Sequence, residues 1–324
     1  MATWANTFFS DNPPEFINEV ENCPSFRGFS PGTNQWCLGA HVDRSRRVDS
    51  TRIQVFWLQI KGRRDHVAKV FPDYTLDQAA RQLWQLRFYE YKIMSQIDKA
   101  RYEFDPFYRE ARAYNHIERF CPGNEQIYFP QFHGVLAGLE RSRFSSGYAQ
   151  RRAVVLEAVK PKLRSRRILA ADSNPMPKSF LLDIPLSSFE REWYWSLLCD
   201  RLRRLAALHR IGILHGDLYD HHFRLPDDFY DTVLFDFSAS YTFTPRQPFR
   251  VNRGRPRPLE IISEGERTRV ELQLQERAEL RDFHSYLVDS MTESVVNYAL
   301  HQSLEKEEGL LEAIILKVWT RPDC

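Results

Sequence analysis

The chain has 324 residues, 43% hydrophobic and 27% charged, enough apolar material for one large domain or two halves sharing a cleft. Its net charge of +2 singles out neither a nucleic-acid nor a membrane partner. Five scattered cysteines (Cys23, Cys37, Cys121, Cys199 and Cys324) form no C-x-x-C pair, which excludes a disulfide framework and a zinc-ribbon site and fits free thiols in a reducing compartment. The opening Met1–Phe16 has no basic stretch followed by an apolar core, so no secretory signal is expected. Apolar runs such as Ala153–Leu156 are too short to cross a bilayer. The expectation is an intracellular protein, cytoplasmic or nuclear, with no membrane partner.

Residues 1–34 hold Pro13, Pro14, Pro24, Pro31, Gly28 and Gly32 and read as an irregular leader. Gln35–Val42 and Arg52–Ile60 are strands by their Trp, Val, Ile and Phe content, joined by a charged turn at Asp43–Asp49. A short third strand is predicted at His66–Phe71. The spacing of Leu76, Ala79, Ala80, Leu83, Leu86 and Ile93 predicts a helix over 73–101. Asp105-Pro106 starts another, Phe107–Phe120. Strands follow at Tyr128–Ala137 and Ala153–Val159, with Gly138–Arg152 as a polar hairpin loop. Residues 160–180 are basic and proline-containing, a linker. Phe189–Leu208 is a long amphipathic helix ending at Gly212; Trp193, Trp195, Leu197 and Leu198 are its core contacts. Short apolar strands are expected around His215 and Phe235, then a Pro/Arg loop over Tyr241–Pro258 and helical spacing over Glu266–Lys317. Strands segregated from helices in this way predict an α+β chain.

The chemistry concentrates in two loops. Asp217 follows Ile213-Leu-His-Gly, and Asp236 follows Val233-Leu-Phe. Apolar runs of this kind set strand ends in a core while the acids emerge at a cleft. One carboxylate there can orient or deprotonate a hydroxyl, and the other can hold a divalent cation.

His215-Gly-Asp-Leu resembles the H-R-D-L catalytic loop of the protein-kinase-like superfamily, in the H-G-D form of atypical and aminoglycoside-phosphotransferase-like kinases, and Asp236-Phe-Ser resembles D-F-G. Val67-Ala-Lys69 is similar to the V-A-I-K strand, and Val154–Val159 to the strand leading into the hinge. The string from His215 to Leu225 also resembles that of kinase-like proteins of filamentous fungi. The resemblance spans roughly residues 35–300. It implies a bilobal fold with an antiparallel sheet and an αC-type helix in an N-lobe (35–159) and a mainly helical C-lobe (160–324). It further implies an ATP-dependent phosphotransferase using Mg²⁺ or Mn²⁺ and acting on a protein or small-molecule hydroxyl. Asp217 is the implied catalytic base. Lys69 and its ion-pair partner Glu110 serve the nucleotide phosphates, Glu157–Val159 present backbone groups to adenine, and Asp236 holds the metal.

Three departures qualify that implication. The position five after Asp217, Asn in kinases, is His222, a poorer magnesium ligand that is nonetheless the expected companion to Asp236. No G-x-G-x-x-G loop precedes Lys69, and Arg44, Arg46 and Arg47 occupy the corresponding turn. No A-P-E-like stop follows Ser238. A pseudokinase, acting as a nucleotide-binding or scaffold module, is therefore the alternative. His215 reads as structural. His221 and His222 as a transition-metal pair lack a third ligand. Arg246, Arg250, Arg253, Arg255 and Arg257, with no acid from Phe237 to Leu259, read as a solvated loop or as a docking strip for an acidic partner; specific nucleic-acid binding is not expected.

Overall fold

The structure is a computed structural model that describes residues 26–31, 36–42, 51–85, 97, 101, 103–139, 152–159, 181, 183–224, 231–243, 249–250 and 257–282. The leader before residue 26, the Arg44–Arg47 turn, most of the Gly138–Arg152 loop, the 160–180 linker, Arg246, Arg253, Arg255 and everything after residue 282 lie outside the described residues.

Five strands, β1 (Trp36–His41), β2 (Gln54–Ile60), β3 (Arg63–Phe71), β4 (Phe132–Ala137) and β5 (Arg152–Glu157), form an antiparallel sheet in the order β1-β2-β3-β5-β4. The third strand starts earlier than its apolar residues predict. Lys61 and Gly62 both take positive φ, 50° and 79°, and turn β2 directly into β3, so the polar Arg63–Asp65 is drawn into the ladder by its turn. The fourth strand starts later than expected. Gln126–Tyr128 is a 3₁₀ turn, and Pro130, which has no N–H to give a ladder, separates it from β4. Part of the leader is also more ordered than its composition predicts: Phe29 N donates to Val135 O (2.8 Å) and Val135 N to Arg27 O (2.9 Å), seating residues 27–29 on the β4 edge.

The sheet buries both faces. Phe56, Leu58, Ala68, Val70, Ala153 and Val155 pack on one side. Phe71, Val154 and Leu156 pack on the other, against α2 (Pro106–Phe120). α1 (Leu76–Gln85) precedes α2. α2 starts where the sequence places it: Pro106 fits the first turn, and the Asp105 carboxylate accepts from Phe107 N at 3.0 Å. Arg152 on β5 donates to that same carboxylate at 2.5 Å, which ties sheet to helix.

α3 (Ser188–Arg210) begins with a capping box, Ser187 Oγ accepting from Glu190 N and Glu190 Oε2 from Ser187 N. Trp193, Leu197 and Leu198 are buried on it as expected, and Trp195 is partly buried. α4 (Leu259–Glu279) packs against α3 and begins before the expected Glu266. Between the helices, β6 (Ile213–Leu214) pairs with β7 (Tyr241–Thr242). The expected strand around Phe235 is not in a ladder; residues 231–237 belong to no strand, and Phe235 N donates to His222 O instead. The Tyr241–Pro258 stretch, expected as plain loop, also contains β8 (Phe249–Arg250) paired with β9 (Arg257–Pro258). The chain is thus α+β, with a five-stranded antiparallel sheet. No helix among the described residues is long and apolar enough to cross a membrane.

Candidate functional site

Lys69 shares its β3 face with Val67 and Phe71, the face that packs on α2. The period of two therefore turns its ammonium inward. On α2, Glu110 lies on the buried stripe with Phe107, Ala111, Ala113, Tyr114 and Ile117 and is fully buried. The two meet: Lys69 Nζ lies 2.7 Å from Glu110 Oε2. The same Nζ lies 2.7 Å from Asp236 Oδ1, joining groups 167 positions apart.

Asp236 adopts φ of 69°, a left-handed conformation that aspartate tolerates better than most residues, at a cost of roughly 1 kcal/mol. Two neighbours hold it there. Ser238 Oγ donates to Asp236 Oδ1 at 2.7 Å. Phe237 is fully buried, with its ring centroid 5.0 Å from that of Tyr114, 5.2 Å from His215 and 6.0 Å from Phe129. One aromatic column thus fixes the Asp236 loop against the helix that carries Glu110.

Charge is divided unequally in this triad. Burial alone would raise the Asp236 carboxyl, but Lys69 and Ser238 hold it far below the usual carboxylate range. Burial pushes Glu110 up to about 7 against the pull of Lys69. Burial also works against the Lys69 ammonium, and Asp236 and Glu110 together reverse that and raise its pKa. Asp236 is the firmly ionised partner.

Asp217 is half-buried, and among the described residues its carboxylate has no hydrogen-bond or ion-pair partner, leaving it available to a substrate group. Its backbone oxygen accepts from His222 Nδ1 at 2.6 Å. Because a carbonyl can only accept, that nitrogen carries the proton and Nε2 presents its lone pair. Nε2 lies 3.7 Å from Asp236 Oδ2, too far for a hydrogen bond. Burial depresses His222 to about 4, Asp236 opposing, so the ring is neutral at neutral pH. A neutral imidazole oriented through its other nitrogen, with its lone pair near a carboxylate oxygen, is the donor arrangement that metal-binding histidines use. Among the described residues no three His, Cys, Asp or Glu side chains form a metal cage.

Glu157 and Val159 stand at the end of β5, three and five residues past the Lys69 partner Val154. Glu157 N donates to Gln131 O and Ala158 N to Asp65 O, so these two amides are used within the fold. His215 is fully buried and donates from Nε2 to Phe235 O at 3.0 Å, cross-linking the two loops. Burial keeps it neutral, in line with a structural role. His221 stacks on Tyr219, with centroids 5.5 Å apart.

Two supports escaped sequence reasoning. Glu266 on α4 accepts from His215 N (3.2 Å), Gly216 N (2.7 Å) and His209 Nε2 (2.8 Å), holding the backbone just before Asp217. A signal for it existed: Glu266 stands at i−4 and i−8 from Val270 and Leu274, an acid on a buried stripe. Asp220 is gripped by Arg201 (2.8 Å), Arg224 (2.6 Å) and Arg277 (3.3 Å). Burial opposes its charge, and these arginines still bring its pKa down to about 2. No local pattern announces these partners, 19 and 57 positions away for Arg201 and Arg277.

No protein-family model matches this chain, and no curated protein is significantly similar to it.

Proposed function

We propose that the chain is a protein-kinase-like phosphotransferase that moves the γ-phosphoryl group of ATP to a hydroxyl. The single observation that carries this reading is the Lys69 ammonium at 2.7 Å from both Glu110 and Asp236, with the Asp217 backbone linked to Asp236 through the His222 ring. Strand, helix and loop together make a cationic group for phosphate, an ionised carboxylate for a divalent cation and a free base for a hydroxyl. The α+β architecture, with the sheet and α2 ahead of α3 and α4 in the chain, supports the bilobal arrangement.

In this reading Lys69 turns part of its charge to the α- and β-phosphates while Glu110 keeps its amine in place. Asp236 and His222 would hold Mg²⁺ or Mn²⁺, which would supply neutralisation of charge on the phosphate oxygens. Asp217 accepts the hydroxyl proton as the acceptor oxygen bonds to the γ-phosphorus and the bond to the ADP oxygen breaks. The β5 end at Glu157–Val159 receives the adenine. The test is ATP turnover by the wild type and by Asp236→Ala. Loss of turnover in the variant is expected, and equal rates sink the mechanism.

A second reading, a nucleotide-binding interaction module, is favoured by one observation: Lys69 and Ser238 directly occupy Asp236 Oδ1. Thermal-shift titration with ATP separates the two. Stabilisation that requires Mg²⁺ or Mn²⁺ supports the enzyme, and stabilisation indifferent to metal supports the module.

A further inference from the structure

A pocket of about 230 Å³ opens beside the Asp217 loop, with Gly216 and Leu218, the residues flanking Asp217, in its wall. Three arginines from three elements line it: Arg250 from β8, Arg257 from β9 and Arg269 from α4. None of them forms an ion pair with a carboxylate among the described residues. Aromatic rings flank two of them: Arg269 lies over Tyr219 at 4.9 Å and Arg250 over Tyr241 at 5.9 Å.

Arg250 and Arg257 are also direct cross-strand partners. Like charges placed opposite on a two-stranded ribbon repel and weaken it, unless an anion lies between or beside them. Glu266 is the one acid among the described residues of the pocket wall, and both its oxygens are committed, Oε1 to Gly216 N and Oε2 to His215 N and His209. Burial draws Arg250 below the ordinary arginine range, with Glu266, Tyr241 and Glu103 opposing. Gly216 borders this space: a Cβ on it would come within ordinary contact, 3.5 Å, of Arg250 Nη1.

We propose that this pocket is a phosphate-binding subsite, and that the acceptor carries a phosphate group which it holds while a neighbouring hydroxyl faces Asp217. The chemistry selects phosphate over a single carboxylate. Three planar guanidinium forks offer more donors than two carboxylate oxygens can use, while a phosphomonoester brings three oxygens and up to two charges. The acceptor part rests on the reading of Asp217 as the base. The phosphate part rests on the arginines alone.

The experiment measures inorganic phosphate binding by thermal shift at constant ionic strength, with chloride as the control salt. It compares the wild type with Arg257→Glu/Arg269→Glu. Both positions are exposed, so the double variant keeps its core. Phosphate stabilisation beyond chloride is expected in the wild type, with an affinity loss of roughly tenfold or more in the double variant. No phosphate effect in the wild type, or an equal effect in both proteins, overturns the subsite. ATP with Mg²⁺ is titrated in parallel. An ATP shift preserved in the double variant sets the subsite apart from the nucleotide site. A phosphate shift without any ATP shift in the wild type overturns the nucleotide reading and leaves the subsite standing. A phosphoserine peptide with a second serine and a hexose phosphate distinguish the two sources of the group. Binding of one of them more tightly than inorganic phosphate, lost in the double variant, supports the acceptor assignment. Neither doing so overturns it.

Discussion

At the scale of single residues, the proposed function makes His222 the group that would decide how a cation is received. Its Nδ1 proton is committed to the Asp217 carbonyl at 2.6 Å, and burial keeps the ring neutral, so Nε2 is a ready donor 3.7 Å from Asp236 Oδ2. Imidazole suits Mn²⁺ better than Mg²⁺, which prefers oxygen ligands in strict octahedral geometry. The wild type is therefore expected to show a larger ATP-dependent rise in Tm with Mn²⁺ than with Mg²⁺. In His222→Asn an amide oxygen can replace the nitrogen, and the preference shifts severalfold toward Mg²⁺, read as the ratio of ATP affinities in the two metals. An unchanged ratio removes His222 from the metal site. His222 could be singled out from sequence by counting from Asp217. Its tautomer could not, because that depends on which backbone oxygen the fold places beside Nδ1.

At the scale of elements, the loop between β6 and the Asp220–His222 turn explains why glycine stands at position 216. Gly216 has φ of 81°, and an added Cβ would lie 2.2 Å from Ala239 O on the segment that follows Asp236. Backbone cannot yield as a flexible side chain can, so even alanine forces the two loops apart. Gly216→Ala is expected to destabilise by about 2–4 kcal/mol, combining the left-handed conformation with the steric displacement. Urea unfolding reads this as a lower midpoint at unchanged slope. A midpoint equal to the wild type's means the loops are not packed this closely. The elements themselves were largely legible. Pro106 after Asp105 marks the start of α2, and the Trp- and Val-rich runs mark β1, β2 and β5. What was illegible came from contacts rather than periods. β3 is lengthened by the Lys61-Gly62 turn, the Phe235 run is apolar because it is buried rather than paired, and β8 and β9 hide in a stretch read as loop.

At the scale of the whole molecule, one continuous core runs from Phe71 on the sheet through Tyr114, Phe129 and Phe237 to Leu274 on α4. The site residues are held because this core joins all the elements that carry them. Sequence spacing could nominate Lys69, Glu110, Asp217 and Asp236 one by one. Only long-range packing brings Lys69 and Asp236 to 2.7 Å. The buried charges follow the same logic. Arg201 is fully buried, bonds Asp231 at 2.6 and 2.7 Å and reaches Asp220, so the loop after Asp217 is anchored to α3.

Two histidines on the sheet carry a different electrostatic load, and it contributes to how stability responds to acid. His66 on β3 and His133 on β4 meet edge-to-face, with ring centroids 4.4 Å apart and planes inclined by 69°. Burial lowers His133 to about 4, with the charges of His66 and Arg27 adding to the effect. Burial also lowers His66, and Arg63 reinforces this while Asp65 and Glu157 oppose it. In the unfolded chain both histidines titrate near 6.5. Between 6.5 and about 4 the unfolded state therefore binds more protons than the folded one, so stability falls as the pH drops through that window. The full contribution is present above 6.5, where both states are neutral. Glu110 and Asp200, raised by burial to about 7 and about 6, act in the opposite sense, because the folded state then takes up protons first. The total pH profile mixes these signs, and a single-site comparison separates them. His133→Gln cannot be protonated and removes the ring–ring contact with His66. Relative to the wild type, its Tm is expected to be higher at about pH 5 than at about pH 7.5, with the gap opening below 6.5. A gap that is flat across that window shows that the two rings take up protons in the folded sheet as easily as in the unfolded chain.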